Sequence, residues 1–260
     1  MGQSPRQQGA ANIAWVEQGL CDLRRESPVW ATGYDELRLA DAVFWLSHGD
    51  GGRPLLRRPV LEVALAGGLL AELGLAWKLG LWDGTGSGVR DRVCIRCRAA
   101  PEGVGPEYDY DAEVPADELS RYVYDQILAD PRQDLGMWLV ALRTVSLVKV
   151  RARLGLAPLP PSMLRRHQTV LPRAPTGQDA DRAWAALTLR IRWLQPLSDA
   201  DGVLIGLGLV TGLRRRLLEG ALPPAHRHAE SAVTVLPRVL AQVVAQTEAA
   251  IARSAVKPRP

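Results

Sequence analysis

The sequence predicts a mainly α fold: a single globular helical domain around a central buried apolar helix, with small β-hairpins. Three observations lead there. From Val60 to Leu75 the residues Val60, Leu61, Val63, Leu65, Leu69, Leu70, Leu73 and Leu75 occupy every side of a 3.6-residue period, so a helix there has no face to give to water. Further segments repeat apolar residues at helical spacing and are bounded by Asp, Pro or Gly. The strand signal is confined to short alternating runs. With 260 residues, 47% of them hydrophobic, the chain has enough apolar material for one substantial core and too much for disorder.

Taken in order, residues 1–33 are rich in Gln, Gly, Pro and Arg and read as a partly flexible tail with one amphipathic stretch, Ile13–Leu23. The domain is expected over residues 34–256, followed by a short tail, 257–260. A helix over Leu37–Leu46 leads through the turn Gly49-Asp50-Gly51-Gly52 to the apolar helix. Pro59 opens that helix, because a first-turn residue needs no N–H, and it runs to about Leu79. The glycine run Gly84-Thr-Gly-Ser-Gly88, flanked by Leu79–Trp82 and Val89–Arg98, predicts a hairpin with Val93, Ile95 and Cys97 alternating against charges. Helices are expected over Asp117–Leu128 and Leu135–Leu154, parted by Asp130-Pro131. Pro158–Pro161 stops the second of these, and Met163–Leu171 reads as another hairpin with Arg165, Arg166 and His167 at its tip. Helices over Asp181–Trp193, Asp201–Leu218 and Ala229–Ile251 complete the domain.

The charge pattern points to function. Between Asp134 and Asp179 there is no acidic residue, whereas 28 acidic residues in 260 would place about five there. The same stretch holds Arg143, Lys149, Arg151, Arg153, Arg165, Arg166 and Arg173. An anionic partner is the natural inference, and a poorly balanced solvated helix face is the plain alternative. Arg outnumbers Lys 29 to 3. This suits phosphate recognition by the planar guanidinium fork, and is also what GC-rich coding produces.

Other motifs carry less. Cys94 and Cys97 have half of a zinc-site spacing but no second pair, and residues three apart on a strand face opposite ways. Three cysteines in all, with Cys21, fit a reducing compartment. The glycine run lacks the Lys-Ser/Thr of a phosphate loop. The acidic run Glu107, Asp109, Asp111, Glu113 lacks the glycine and terminal glutamate of a calcium loop. His226 and His228 fall in what reads as a Pro-rich surface linker. No nucleophile elbow, His-Glu-x-x-His or Ser-x-x-Lys is present, so no catalysis, cofactor or metal is expected. No segment reaches the roughly 20 apolar residues of a membrane span, and the start of the chain lacks an apolar signal core.

The order of helix, turn, central helix ending Leu69-Leu-Ala-Glu-Leu-Gly-Leu-Ala-Trp-Lys-Leu79, hairpin, and then Val150-Arg-Ala-Arg-Leu154 resembles the Golgi phosphoprotein 3 family and its bacterial relatives. The first motif is similar to that family's Leu-x-Glu-Leu-x-Leu-x-x-x-Leu and the second to its Val-Arg-x-Arg-Leu. Val203–Leu218 is similar to a Leu/Ala-rich helix of the family, and the resemblance covers roughly residues 34–255. It implies a helical, non-catalytic membrane adaptor that binds phosphatidylinositol 4-phosphate and the cytosolic tails of membrane enzymes. The family's headgroup site uses a Trp and three Arg, whose places fall here on Arg57, Ala66, Val148 and Arg151, so only Arg151 keeps the residue type. The family hairpin implicated in membrane contact and self-association is similar to Met163–Leu171, placing Leu164, Arg165, Arg166 and His167 there.

The expected function is therefore a peripheral adaptor in the cytoplasm, reversibly attached to the inner face of the membrane. Arg151, Arg57, Arg143, Lys149 and Arg153 are expected on anionic phospholipid headgroups. Protein-tail scaffolding without lipid binding is the alternative. Nucleic acid is not expected, because the basic stretch offers few stacking aromatics and no base-reading helix.

Overall fold

The structure is a computed structural model that describes residues 38–49, 52–76, 79–82, 92–95, 115, 117–130, 133–159 and 178–255. All of these fall in one compact unit, Leu37–Pro260, and most are helical. The described helices are α1 (Leu39–Leu46), α2 (Arg58–Leu75), α3 (Glu118–Ala129), α4 (Leu135–Arg153), α5 (Gln178–Arg192), α6 (Asp199–Val210), α7 (Arg214–Leu217), α8 (Pro223–Thr234) and α9 (Arg238–Ala255). Strand β1 (Leu79–Trp82) pairs antiparallel with β2 (Arg92–Ile95), with Leu79 opposite Ile95 and Trp82 opposite Arg92. The glycine segment between the strands, the hairpin expected over Met163–Leu171, the N-terminal tail and the acidic run 107–113 lie outside the described residues.

The helix starts follow from local chemistry. Asp117 caps α3 by accepting from the Ser120 N–H at 2.8 Å, and Asp134 caps α4 by accepting from Met137 N–H at 2.7 Å. At α6 a reciprocal box forms, with Ser198 Oγ accepting from Asp201 N–H and Asp201 Oδ2 accepting from Ser198 N–H. Helix α2 has Pro59 in its first turn, and eleven of its eighteen residues are buried. It packs most extensively against α4, α9 and α1. Two adjacent glycines admit these neighbours: a β-carbon on Gly67 would stand 2.5 Å from Thr247 Oγ1 of α9, and one on Gly68 3.0 Å from Ala40 Cα of α1.

Two expected helices are each divided. The segment read as Asp201–Leu218 breaks into α6 and α7 because Gly212, at φ 88°, turns the chain left-handed and sends Leu213 N–H back to Gly208 O. The segment read as Ala229–Ile251 is two helices, parted before Pro237, which has no N–H to continue the ladder of α8. Helix α8 starts at Pro223, so His226 and His228 stand on a helix and not in a linker.

A candidate anion-binding surface

The basic helix α4 does not present all its cations outward, contrary to the expectation. Arg153 points inward, with its side chain 9% exposed. Its guanidinium fork holds both oxygens of Glu72, at 3.0 and 2.9 Å, Asp41 Oδ1 at 2.8 Å and Asp117 Oδ2 at 3.0 Å. Glu72, which interrupts the apolar run of α2, also accepts from Ala40 N–H and Ser120 Oγ, and Arg38 pairs with Asp117. Burial alone would lower the Arg153 pKa, but its hydrogen bond and charge contact with Glu72 and those with Asp41 hold it above the ordinary value. Asp41 is pushed the other way, its carboxyl raised by burial in spite of Arg153. Arg153 therefore ties α1, α2, α3 and α4 together and is closed to a headgroup.

Arg151, the one residue matching the family site, is also buried at 7% exposure and donates Nη2 to Ala157 O at 2.8 Å. Its Nε has no partner, and burial lowers its pKa. The charge of Arg151 is felt at His48, 1% exposed, whose Nδ1–H donates to Phe44 O at 2.7 Å. Lys149 lies over the Tyr122 ring, 4.0 Å from its centre, and retains partial exposure.

One predicted residue, Arg143, makes a pair across the fold. Glu62 on α2, 12% exposed, takes Arg58 Nε on one oxygen at 2.6 Å and faces Arg143 Nε of α4 at 3.6 Å on the other. Arg57, exposed, is the N-cap of α2 and stands next to Arg58. Two arginines thus share one carboxylate near the positive end of the central helix dipole, and the exposed Arg57 adds a third cation to that end. Val60 and Leu61 N–H already bond to Arg57 O, so the helix adds potential here more than donors.

Contacts extend this positive region beyond the expected residues. Arg53 and Leu55 in the α1–α2 connection are exposed, and the Arg216 guanidinium lies against Gly49, 2.8 Å from where a β-carbon would stand. Arg216 also covers Trp184 at 4.9 Å, whose Nε1–H reaches His48 O. Arg215 is exposed, Arg214 pairs with Glu230, and Arg192 at the end of α5 donates to Glu219 O just past α7. The run Arg214-Arg215-Arg216 is plain in the sequence but lies outside the acid-free stretch.

No protein-family model and no curated protein matches the chain.

Other chemistry finds little footing among the described residues. No group of three His, Cys, Asp or Glu there is placed to hold a metal ion, and no described helix is long and apolar enough to cross a membrane. His226 and His228 spend Nε2 on Ala221 O and Gln195 O. A groove of about 330 Å³ between α4 and α9 has Asp134 and Arg253 as its charged walls, and Asp134 is already committed to capping α4.

Proposed function

We propose that the chain is a non-catalytic peripheral adaptor for anionic phospholipid surfaces, of the kind its resemblance to the Golgi phosphoprotein 3 family implies. The observation that carries this reading is that Arg58 and Arg143 share the single carboxylate Glu62 near the start of α2, beside the exposed N-cap residue Arg57. Exposed guanidinium at Arg57, with the partly exposed Arg143 on the neighbouring helix, suits a phosphate, which accepts two N–H bonds from one fork. Near an anionic bilayer each surface cation contributes about 1 kcal/mol, so a handful acting together gives reversible, salt-sensitive attachment. The residues carried into this proposal are Arg57 and Arg143, with Lys149 at the margin. Arg151 and Arg153 belong to the fold.

The test is sedimentation with vesicles containing phosphatidylinositol 4-phosphate, phosphatidylinositol, cardiolipin or neutral lipid only, at low and high salt. Wild type is expected to bind the anionic vesicles and to weaken with salt. Arg57→Ala/Arg143→Ala is expected to lose about thirtyfold in affinity, the equivalent of two surface cations. Wild type that binds no anionic vesicle at low salt overturns the reading. It would favour protein-tail scaffolding, for which Met137, Val140, Ala141, Thr144 and Val148 supply an exposed, uncharged stripe along α4.

A further inference from the structure

Trp193 is 71% exposed and Leu222 73%, with Val235 at the end of α8 the three most exposed large apolar residues described, and Leu194, next to Trp193, is 46% exposed. They are gathered at one edge by two bonds. Arg192, beside Trp193, donates Nη2 to Glu219 O at 2.5 Å, three residues ahead of Leu222. His228 of α8 donates Nε2–H to Gln195 O at 2.7 Å, directly after Leu194. The end of α5 and the start of α8 are thereby joined side by side.

The backbone adds an independent observation. Helix α5 ends with Gln195 N–H bonded to Arg190 O and Leu194 N–H to Ile191 O, a paired closure that places residue 194 in the left-handed region at φ 52°. Helix α4 and helix α6 close with the same pair of bonds, and there the chain uses Gly155 at φ 66° and Gly212 at φ 88°. Leu194 is the one non-glycine residue with positive φ among those described. A leucine in that conformation suffers a steric penalty that glycine avoids, and at 46% exposure its side chain recovers little of it inside the fold. Contact of that side chain with an apolar phase would add hydrophobic free energy that the fold itself leaves unused.

The charges around this edge suggest which phase. Arg192 and Arg215 are exposed and Arg214 is half shared with Glu230, while Glu219 is the carboxylate in the intervening turn. Arg216, next in the chain to Arg215, lies against Gly49. An exposed Trp flanked by leucines and arginines matches a bilayer interface, where the indole sits at the headgroup level and the guanidinium groups meet phosphates. We propose that Trp193, Leu194 and Leu222 form an interfacial anchor that enters the headgroup region of an anionic bilayer, with Arg192 and Arg215 on the lipid phosphates. This rests on the membrane reading above and adds to it a second, apolar point of attachment.

The experiment compares wild type, Trp193→Ser/Leu222→Ser, Leu194→Gly and Arg57→Ala/Arg143→Ala on vesicles of phosphatidylglycerol mixed with phosphatidylcholine and on vesicles of phosphatidylcholine alone, with brominated lipid as a quencher of tryptophan emission. Trp193→Ser/Leu222→Ser is expected to bind the anionic vesicles about tenfold or more weakly and to lose most of the quenching, with unchanged helical content. Leu194→Gly is expected to bind several-fold more weakly, roughly one buried side chain's worth, while melting at higher temperature. If Trp193→Ser/Leu222→Ser binds and is quenched like wild type while Arg57→Ala/Arg143→Ala binds weakly, the anchor is overturned and the basic site stands. Wild type that ignores both vesicle types, whether or not it captures single-stranded nucleic acid, overturns the anchor together with the membrane reading.

Discussion

Arg153 illustrates how one residue's neighbours decide its role. Its guanidinium bonds carboxylates from α1, α2 and the cap of α3, at sequence distances of 112, 81 and 36 residues. Removing it leaves Asp41, Glu72 and Asp117 crowded together, with Arg38 the remaining countercharge among the described residues. Arg153→Met is therefore expected to lower the unfolding free energy by about 3–5 kcal/mol, the usual penalty for stranding one side of a buried ion pair. Arg151→Met removes a buried cation with an unpartnered Nε and is expected to cost clearly less. Urea denaturation of both variants measures this; equal losses would mean that the carboxylate cage contributes nothing beyond packing. The same geometry accounts for part of the acid-free stretch: the carboxylates that pair with Arg143 and Arg153 come from other helices and the cap of α3, and neither composition nor periodicity marks a partner so far along the chain. The sequence shows where the cations lie along the chain, and the direction expected of them, outward, is reversed at Arg151 and Arg153.

At the level of elements, the starts of α3 and α4 were the most legible, because Asp117 and Asp134 act within three residues of themselves, whereas the sequence pattern puts the start of α6 at Asp201, three residues past its cap Ser198. The stops were less so: an apolar pattern continues across Gly212 and Pro237, and only the backbone behaviour of those two residues divides it. Close helix packing was illegible too, since Gly67 resembles any helical glycine until Thr247 of α9 is placed against it. Substitution there sets two effects against each other. Alanine improves helix propensity by about 1 kcal/mol, but its methyl would sit 2.5 Å from Thr247 Oγ1. The clash is expected to win, so Gly67→Ala should destabilise by roughly 1–3 kcal/mol through overpacking. Adding Thr247→Ala should restore much of that loss, because the two residues share one contact. A double-mutant cycle by thermal or urea unfolding measures the coupling, and strict additivity would show that α2 and α9 stand further apart.

For the whole molecule, pH reads the buried charges together, and two groups pull in opposite directions. Burial lowers the His48 pKa from 6.5, and the Arg151 charge adds to this, while the bond to Phe44 O opposes it. The folded ring stays neutral where the unfolded chain takes up a proton, so the stability it provides is full above pH 6.5 and is lost as pH falls through the depressed folded value. Asp41 has its carboxyl raised above 3.8, chiefly by burial. The folded state then holds a proton where the unfolded chain has released it, so its contribution falls as pH rises through the folded value and grows on acidification. Acidification from neutral should first reveal the His48 loss, with Asp41 offsetting part of the decline further down. His48→Gln is expected to flatten stability just below pH 6.5, and Asp41→Asn to steepen the decline at lower pH, whatever each costs at neutrality. Urea midpoints across this range, at constant denaturant slope, measure both effects. A wild-type slope retained in His48→Gln would mean that the ring already reaches water when folded. The Trp184 and Arg216 contacts that close the α1–α2 connection over it would then not hold in solution.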